Sequence, residues 1–176
     1  MKRLLMLGLA MMMLLAGCSA EINDYRTQQP ALDIFRYFDG KSEAWGMVQD
    51  RSGKQIRRFH VEITGEVLGD TLTLNEQFVY DDGEKQQRVW HIRRTATDHY
   101  EGTAGDIEGV AHGQSAGNAF NWHYSMNVKA DGSTWLLHFD DWMYLQDGIH
   151  LFNKTEMKKL GVTVATVTLF FTKKDI

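Results

Sequence analysis

Residues 71–92, TLTLNEQFVYDDGEKQQRVWHI, carry the pattern that decides the fold. Every second residue of 72–80 and of 88–92 is apolar or aromatic, with the exceptions of Glu76 and Arg88. A period of two places such residues on one face of a β-strand. The Asp-Asp-Gly sequence between the two runs is typical of a tight turn between antiparallel strands. The stretch therefore predicts a β-hairpin with one apolar face.

The same alternation of strand and turn continues on both sides of this hairpin. Alternating runs recur at 59–63 and 120–128, and the final run, 162–171, is apolar on both faces, as in a buried closing strand. The turn sequences between the runs are Asp50-Arg51-Ser52-Gly53, Gly69-Asp70, Asp131-Gly132 and Asp147-Gly148. About eight to ten regularly spaced strands are typical of an antiparallel sandwich or closed barrel. We predict an all-β, antiparallel barrel over 38–176, with short helices only at 31–38 and 153–160.

The first 18 residues have the pattern of an export signal. Met1-Lys2-Arg3 is basic, and residues 4–15 are apolar apart from one glycine. An apolar run of this length fits a secretory signal and is too short to span a membrane as a helix. It ends in Leu15-Ala16-Gly17-Cys18, the small-residue and cysteine pattern of a lipobox. An ordinary signal peptide with an incidental cysteine is the alternative.

The lipobox predicts how the chain is held in the cell. We expect a signal peptide at 1–17, diacylglycerol on Cys18, and a lipidated tether at 18–37. Two or three acyl chains are sufficient for stable anchoring. Because Ser19 rather than aspartate follows the cysteine, the usual sorting rule favours the outer membrane over the inner membrane, with the barrel facing the periplasm.

Composition excludes some partners. Removing the signal peptide changes the net charge from −4 to −6, because Lys2 and Arg3 leave with it. No basic patch stands out, so we expect no nucleic-acid partner. The single cysteine rules out a disulfide within the chain, and the core must supply the stability instead.

Four glycines spaced by four residues stand out: Gly105, Gly109, Gly113 and Gly117. On a regular strand this even spacing places them on one face. A face of small residues leaves space, which either a bulky neighbour such as Trp122 or a ligand would fill.

The sequence contains no recognisable catalytic or metal motif. Seven histidines are present, but none stands in a His-x-x-x-His or His-x-Cys spacing. There is neither a Ser-His-Asp order nor a Gly-x-Ser-x-Gly elbow. We predict no metal and no cofactor, and the pattern favours a protein that is not an enzyme.

Two acidic positions are candidates for a functional site. Glu76 lies on the apolar face of its strand, where a carboxylate must be paired or neutral. The hairpin brings Arg88 near it, either as a structural ion pair or as a polar anchor for a ligand. Asp140 and Asp141 are adjacent, so one of them points into the barrel and the other points out.

These motifs resemble a family of uncharacterised Gram-negative lipoproteins that has only a domain-of-unknown-function label. The resemblance covers about Phe38 to Phe171 and is most specific at Phe139-Asp140-Asp141-Trp142-Met143. The other motifs are Arg88-Val89-Trp90, Asp106-Ile107-Glu108-Gly109, Ala111-His112-Gly113, Gly117-Asn118-Ala119 and Lys159-Leu160-Gly161. The resemblance implies a lipocalin-like, calycin-type barrel and no known activity. It marks Asp106, Asn118 and Asp141, among others, as positions of interest without assigning them a role.

Three functions are compatible with such a chain. The first, which we favour, is a module that binds or carries an acyl lipid or other apolar molecule in the barrel. The second is a lipid-modifying enzyme with Glu76 or Asp140 as general base. The third is a structural lipoprotein that docks to an envelope protein through an exposed apolar patch. The predicted ligand-binding residues are Glu76, Arg88, Trp90, Trp122, Tyr124, Asp140 and Trp142.

Overall fold

The computed structural model describes residues 19–130 and 132–174. These residues form one 3-10 helix at Ile22–Tyr25, one α-helix, α1, at Ile34–Phe38, and ten β-strands. The strands are β1 (Gly40–Asp50), β2 (Gln55–Leu68), β3 (Thr71–Tyr80), β4 (Lys85–Ala96), β5 (His99–Thr103), β6 (Ile107–Ala116), β7 (Ala119–Ala130), β8 (Ser133–Leu145), β9 (His150–Lys159) and β10 (Val162–Lys173).

The strands form a closed antiparallel barrel in which each one pairs with its neighbours along the chain. β1 closes the ring by pairing with β10, from Ser42 opposite Lys173 to Asp50 opposite Ala165. Closure removes the free sheet edges that would otherwise pair with other chains. The all-β barrel predicted from the sequence is confirmed, and so is the hairpin of β3 and β4, in which Glu76 stands directly opposite Arg88.

Helix α1 plugs one end of the barrel. Its N-cap residue, Asp33, accepts a hydrogen bond from the Phe35 backbone nitrogen at 2.9 Å and pairs with Arg94 of β4 at 2.7 Å. Four of its five side chains are buried, and Phe38 packs edge-on against Phe171 with ring centroids 5.8 Å apart. We call this the closed end, and the opposite end, where the β1–β2 and β3–β4 hairpins turn, the mouth.

The segment that precedes α1 lies against the outer wall. The 3-10 helix contacts β6 and β7, and the Leu32 backbone nitrogen donates to the Gly117 carbonyl at 2.8 Å. Much of the segment predicted as a tether is therefore packed on the barrel. The predicted signal peptide and Cys18 lie outside the described residues. Among 19–130 and 132–174, no helix has the length and hydropathy to cross a membrane.

Large side chains fill the interior next to α1, which we call the closed half. A Cβ on Gly113 would lie 2.1 Å from the Trp122 ring, so a larger residue at this position would collide with the tryptophan. Trp122, rather than a ligand, therefore occupies the space at Gly113. The four glycines do not share a regular face, because the β6–β7 register shifts between Glu108 and His112. Further residues of the closed half are Val61, Leu72, Trp90, Ile92, Phe120 and Leu151.

The prediction of a short helix at 153–160 is wrong. Residues His150–Lys159 form strand β9, which pairs along its length with β8 and β10. Asn153 and Thr155 are buried with Leu151 and Met157, so the inward face alternates regularly. The two polar residues on this face obscure its period in the sequence, and the barrel supplies the hydrogen bonds that they need.

Candidate functional site

Polar side chains from several strands meet inside the barrel, on the mouth side of the closed half. We call this set the polar layer; its members are Glu76 (β3), Arg88 (β4), Asp106 (β5–β6 turn), Tyr124 (β7) and Asp141 (β8). β3 and β8 lie on opposite sides of the ten-strand ring. The layer therefore spans the barrel from wall to wall.

Arg88 organises one side of this layer. Its Nε and Nη2 donate to the Asp106 carboxylate at 3.0 and 2.7 Å, in the bidentate geometry that favours arginine–carboxylate pairs. Its Nη1 lies 3.7 Å from Glu76 Oε2, beyond hydrogen-bond distance. Glu76 and Arg88 are adjacent, as predicted from the hairpin, but the stronger partner of Arg88 is Asp106. Sequence reasoning did not identify that pair, because Asp106 lies beyond the next strand.

Asp141 occupies the opposite side, with a different set of partners. Tyr124 Oη donates to Asp141 Oδ2 at 3.4 Å, and Asn153 Nδ2 donates to Asp141 Oδ1. Thr155 Oγ1 in turn donates to Asn153 Oδ1 at 3.2 Å. These donors are uncharged, so Asp141 has hydrogen bonds but no cation of its own.

Burial raises the pKa of Glu76 and of Asp141, the two carboxyl groups of the layer that accept no hydrogen bond from Arg88. It raises the pKa of Glu76 to about 7 despite the opposing attraction of Arg88. It also raises the pKa of Asp141 to about 7, although hydrogen bonds from Asn153, Thr155 and Tyr124 act in the other direction. Desolvation disfavours the ionised form of a carboxyl group, which is the physical cause of both shifts. Each group can therefore hold or release a proton near neutral pH.

The polar layer stays accessible from the mouth. Glu76 and Arg88 point into the barrel, yet their side chains retain 15% and 19% of their accessible surface. Several apolar side chains on the same inward faces are only half-buried towards the mouth, beside a buried cluster of Leu137, Phe139 and Met157. The half-buried ones include Val48, Tyr80, Met126, Val128 and Val167. An apolar wall around a few polar groups is the usual composition of a small-molecule site.

The predicted site residues occupy three places. Glu76, Arg88 and Tyr124 belong to the polar layer. Trp90 and Trp122 lie below it, in edge-on contact with ring centroids 5.8 Å apart. Both tryptophans are buried, so they form a packed floor under the layer.

Asp140 and Trp142 are on the outer wall, so they are not part of a site inside the barrel. Asp140 pairs with Lys158 at 3.0 Å. Partial burial raises the pKa of Asp140, but hydrogen bonds from Lys158 and Asn121 outweigh it and leave the pKa below its usual value. Asp140 thus lacks the inward position and the raised pKa that a general base inside the barrel requires, whereas Glu76 has both. The inward carboxylate of the pair is Asp141, which the resemblance marked but the predicted ligand-binding set omitted.

The resemblance also marks Asn118, whose hydrogen bond holds two parts of the barrel together. Asn118 donates to the Leu145 carbonyl at 3.0 Å and so ties the β6–β7 turn to β8. Among the described residues, no three histidine, cysteine or acidic side chains are placed to hold a metal ion.

A band of aromatic side chains crosses the outer wall. It runs through Trp45, Phe170, Phe152 and Tyr144, which are paired in register on adjacent strands β1, β10, β9 and β8. Tyr25 of the 3-10 helix extends it, at 5.4 Å from the Tyr144 ring. Trp45, Phe152 and Phe170 retain 64%, 46% and 37% of their accessible surface. We call these five residues the outer aromatic band; part of it lines an open groove of about 990 Å³.

Comparison with known proteins relates the chain to one family and one solved fold. The model of a family described as "Protein of unknown function (DUF3833)" matches residues 12–173. The S-type phycobiliprotein lyase CPES from Guillardia theta has a similar structure, with a TM-score of 0.59 and 7% identity over 89% of this chain and 99% of that chain. That likeness confirms the calycin-like barrel and concerns the fold alone. No curated protein matches the chain.

Proposed function

The chain belongs to the DUF3833 family, and from the geometry of its barrel we propose that it binds an apolar or amphipathic small molecule, such as a lipid, through the mouth. The observation that carries this proposal is the polar layer: buried ionisable groups inside a barrel that remain accessible on the side away from the plug. A protein that used its barrel only for stability would gain more from apolar packing at this level, because burying charges is costly.

The shape of the site suggests how a ligand is held. The half-buried apolar wall near the mouth would contact an acyl chain or ring system, and the polar layer would contact the polar end of the molecule. Trp90 and Trp122 close the floor, so a ligand stops at the polar layer and does not reach α1. The barrel fold of the phycobiliprotein lyase is compatible with a small-molecule site.

Native mass spectrometry of the mature chain tests this function. The chain would be purified from the periplasm of its own host with Cys18→Ser, and the bound material extracted into organic solvent. We expect a co-purifying small molecule whose occupancy falls in Asp141→Asn and stays unchanged in Asp140→Asn. These neighbours are matched in chemistry and differ in the face of β8 that they occupy. An apo mass for the parent chain, with no binding across a lipid panel, would contradict the proposal.

The proposal includes anchoring through Cys18 at the periplasmic face of a membrane, with the outer membrane favoured by Ser19. The outer aromatic band supports it, because Tyr25 joins that band to the segment that follows the predicted lipid. Aromatic side chains favour the interface between acyl chains and water. We therefore assign the band to a lipid surface next to the anchor.

Two measurements test this arrangement. Labelled palmitate should be incorporated into the parent chain and not into Cys18→Ser. With Cys18→Ser, the unlipidated chain should bind phosphatidylethanolamine–phosphatidylglycerol vesicles more weakly after Trp45→Ala and Phe152→Ala, whereas Val110→Ala and Leu136→Ala, exposed elsewhere, serve as controls. Equal vesicle binding by both pairs of variants would exclude the band from membrane contact and favour a protein partner.

Acid–base catalysis on the bound lipid is a second candidate function, favoured by Glu76 alone. A carboxyl group with a pKa of about 7 is suited to donate or accept a proton at neutral pH. If the extracted ligand is a substrate, incubation with fresh protein should change its mass or double-bond position. Glu76→Gln should stop that change while leaving binding measurable; unchanged ligand after prolonged incubation would argue for a carrier.

A further inference from the structure

The charges of the polar layer do not balance. Glu76, Asp106 and Asp141 contribute three carboxyl groups, whereas Arg88 contributes one guanidinium. Arg88 is shared between two carboxyl groups: its Nε and Nη2 donate to Asp106, and its Nη1 lies 3.7 Å from Glu76 Oε2, within ion-pair distance. An anionic head group at Arg88 would therefore have to compete with both carboxyl groups.

On the other side of the ring, the strand pairing from Asp141 passes through Thr155, Val167 and Val48, which are uncharged, and then reaches Arg57 on β2. The β2 residue opposite Glu76 is Ile63, which is also uncharged. Arg57 lies towards the β3–β4 hairpin, where it stacks on Tyr80 and pairs with Asp82 and Glu84.

Glu76 and Asp141 consequently face the interior from opposite walls: Glu76 shares Arg88 with Asp106, and the hydrogen-bond donors to Asp141 are uncharged. An ionised carboxylate in such a place needs either a proton or a counter-charge. From this arrangement we infer that the polar end of the ligand is a cation, a protonated amine or a quaternary ammonium group, seated between Glu76 and Asp141. The inference rests on the proposed function and narrows its ligand class: an amphipathic cation is favoured over a fatty-acid anion.

The protonation of these groups gives the inference a pH dependence. Burial raises the pKa of Glu76 and of Asp141 to about 7. Both groups are then mostly ionised above that pH and mostly protonated below it. Affinity for a permanent cation should therefore rise with pH across this range. Tyr124, whose pKa burial raises well above its usual value, should not titrate there.

A matched set of ligands tests the inference on the mature chain carrying Cys18→Ser. Dodecyltrimethylammonium, dodecanol and dodecanoate have the same chain and differ in the charge of the head group. Binding would be measured by calorimetry below the micelle concentration. We expect dodecyltrimethylammonium to bind at least about tenfold more tightly than dodecanoate at about pH 8, and this preference to shrink towards about pH 5.

Three variants locate the effect. Glu76→Gln and Asp141→Asn should each reduce the preference for the cation, whereas Asp140→Asn changes the net charge equally on the outer wall and should leave it intact. Circular dichroism establishes that each variant is folded. If Asp141→Asn does not fold, the comparison of Glu76→Gln with Asp140→Asn is sufficient.

The outcomes separate this inference from the proposed function. Tighter binding of dodecanoate, lost in Lys159→Ala, would overturn the inference and place the head group near Lys159, which stacks on Trp135 at the mouth. Equal binding of all three ligands, or a cation preference unaffected by Glu76→Gln, would also overturn it while leaving the carrier function in place. Failure of every ligand to bind would count against the proposed function itself.

Discussion

The two halves of the barrel interior are built from the same strands but differ in the burial and polarity of their inward side chains. In the closed half, inward residues such as Leu72 and Trp122 are buried and in contact with one another. Towards the mouth, a smaller buried cluster of Leu137, Phe139 and Met157 is accompanied by inward residues that are only half-buried, such as Val48 and Met126. The inward carboxyl groups lie in this half. Burial in the closed half stabilises the fold, so the half near the mouth can accommodate carboxyl groups whose burial lowers the free energy of unfolding.

The largest effect on stability is expected for Trp122→Ala, in the closed half. Trp122 is 3% exposed and packs against Gly113 and Phe120, so truncation should lower the free energy of unfolding by about 3–5 kcal/mol. Met126→Ala, in the half near the mouth, should cost about 1–2 kcal/mol because its side chain is only partly buried. Urea denaturation followed by circular dichroism measures both. Equal losses would mean that the two halves contribute alike.

A smaller effect should appear in the pH dependence of stability. The folded-state pKa of Glu76 is raised from 4.5 to about 7, so the folded chain binds more protons than the unfolded chain between these values. Stability should therefore be highest below the unfolded pKa and fall as pH rises through about 7, by about 3 kcal/mol for this group. Asp141 should act in the same direction.

Urea midpoints measured at several pH values test this expectation. Glu76→Gln removes one titrating group and should flatten the decline, whereas Asp140→Asn should leave it unchanged. A parent chain that becomes more stable as pH rises through neutrality would show that the half near the mouth carries no such cost.

The smallest effect concerns the plug. Asp33→Ala removes the N-cap of α1 and the partner of Arg94, and should cost about 1 kcal/mol. Asp33→Asn keeps a capping oxygen and should recover most of the loss. Urea denaturation again gives the free energies. If Asp33→Ala increased access to the interior without altering global stability, α1 would be a separable lid rather than part of the closed half.

Much of the fold could be predicted because its signals are local. A period of two and an Asp-Asp-Gly turn are sufficient to place Glu76 near Arg88, and the structure gives the register, which sets the two residues directly opposite each other. Alternation does not identify the inward face of a strand where both faces carry similar residues. In Phe139-Asp140-Asp141-Trp142-Met143, each face carries an aromatic residue and a carboxylate, so the sequence could not show which aspartate points inward. For the same reason Asp140 and Trp142 were placed in a site that the structure assigns to the other face.

The sequence by itself determined most of the strands, the β3–β4 hairpin and the need of Glu76 for a partner or a proton, since these follow from alternation, turn residues and the cost of burying charge. Only the tertiary structure decided that Arg88 pairs with Asp106, that Asp141 faces Glu76 across the ring, and that Trp122 fills the space at Gly113. The first two join residues that do not lie on neighbouring strands, and the third joins cross-strand partners whose fit depends on the packing of the interior. They are fixed by how the closed barrel staggers its strands, and no local pattern encodes that stagger.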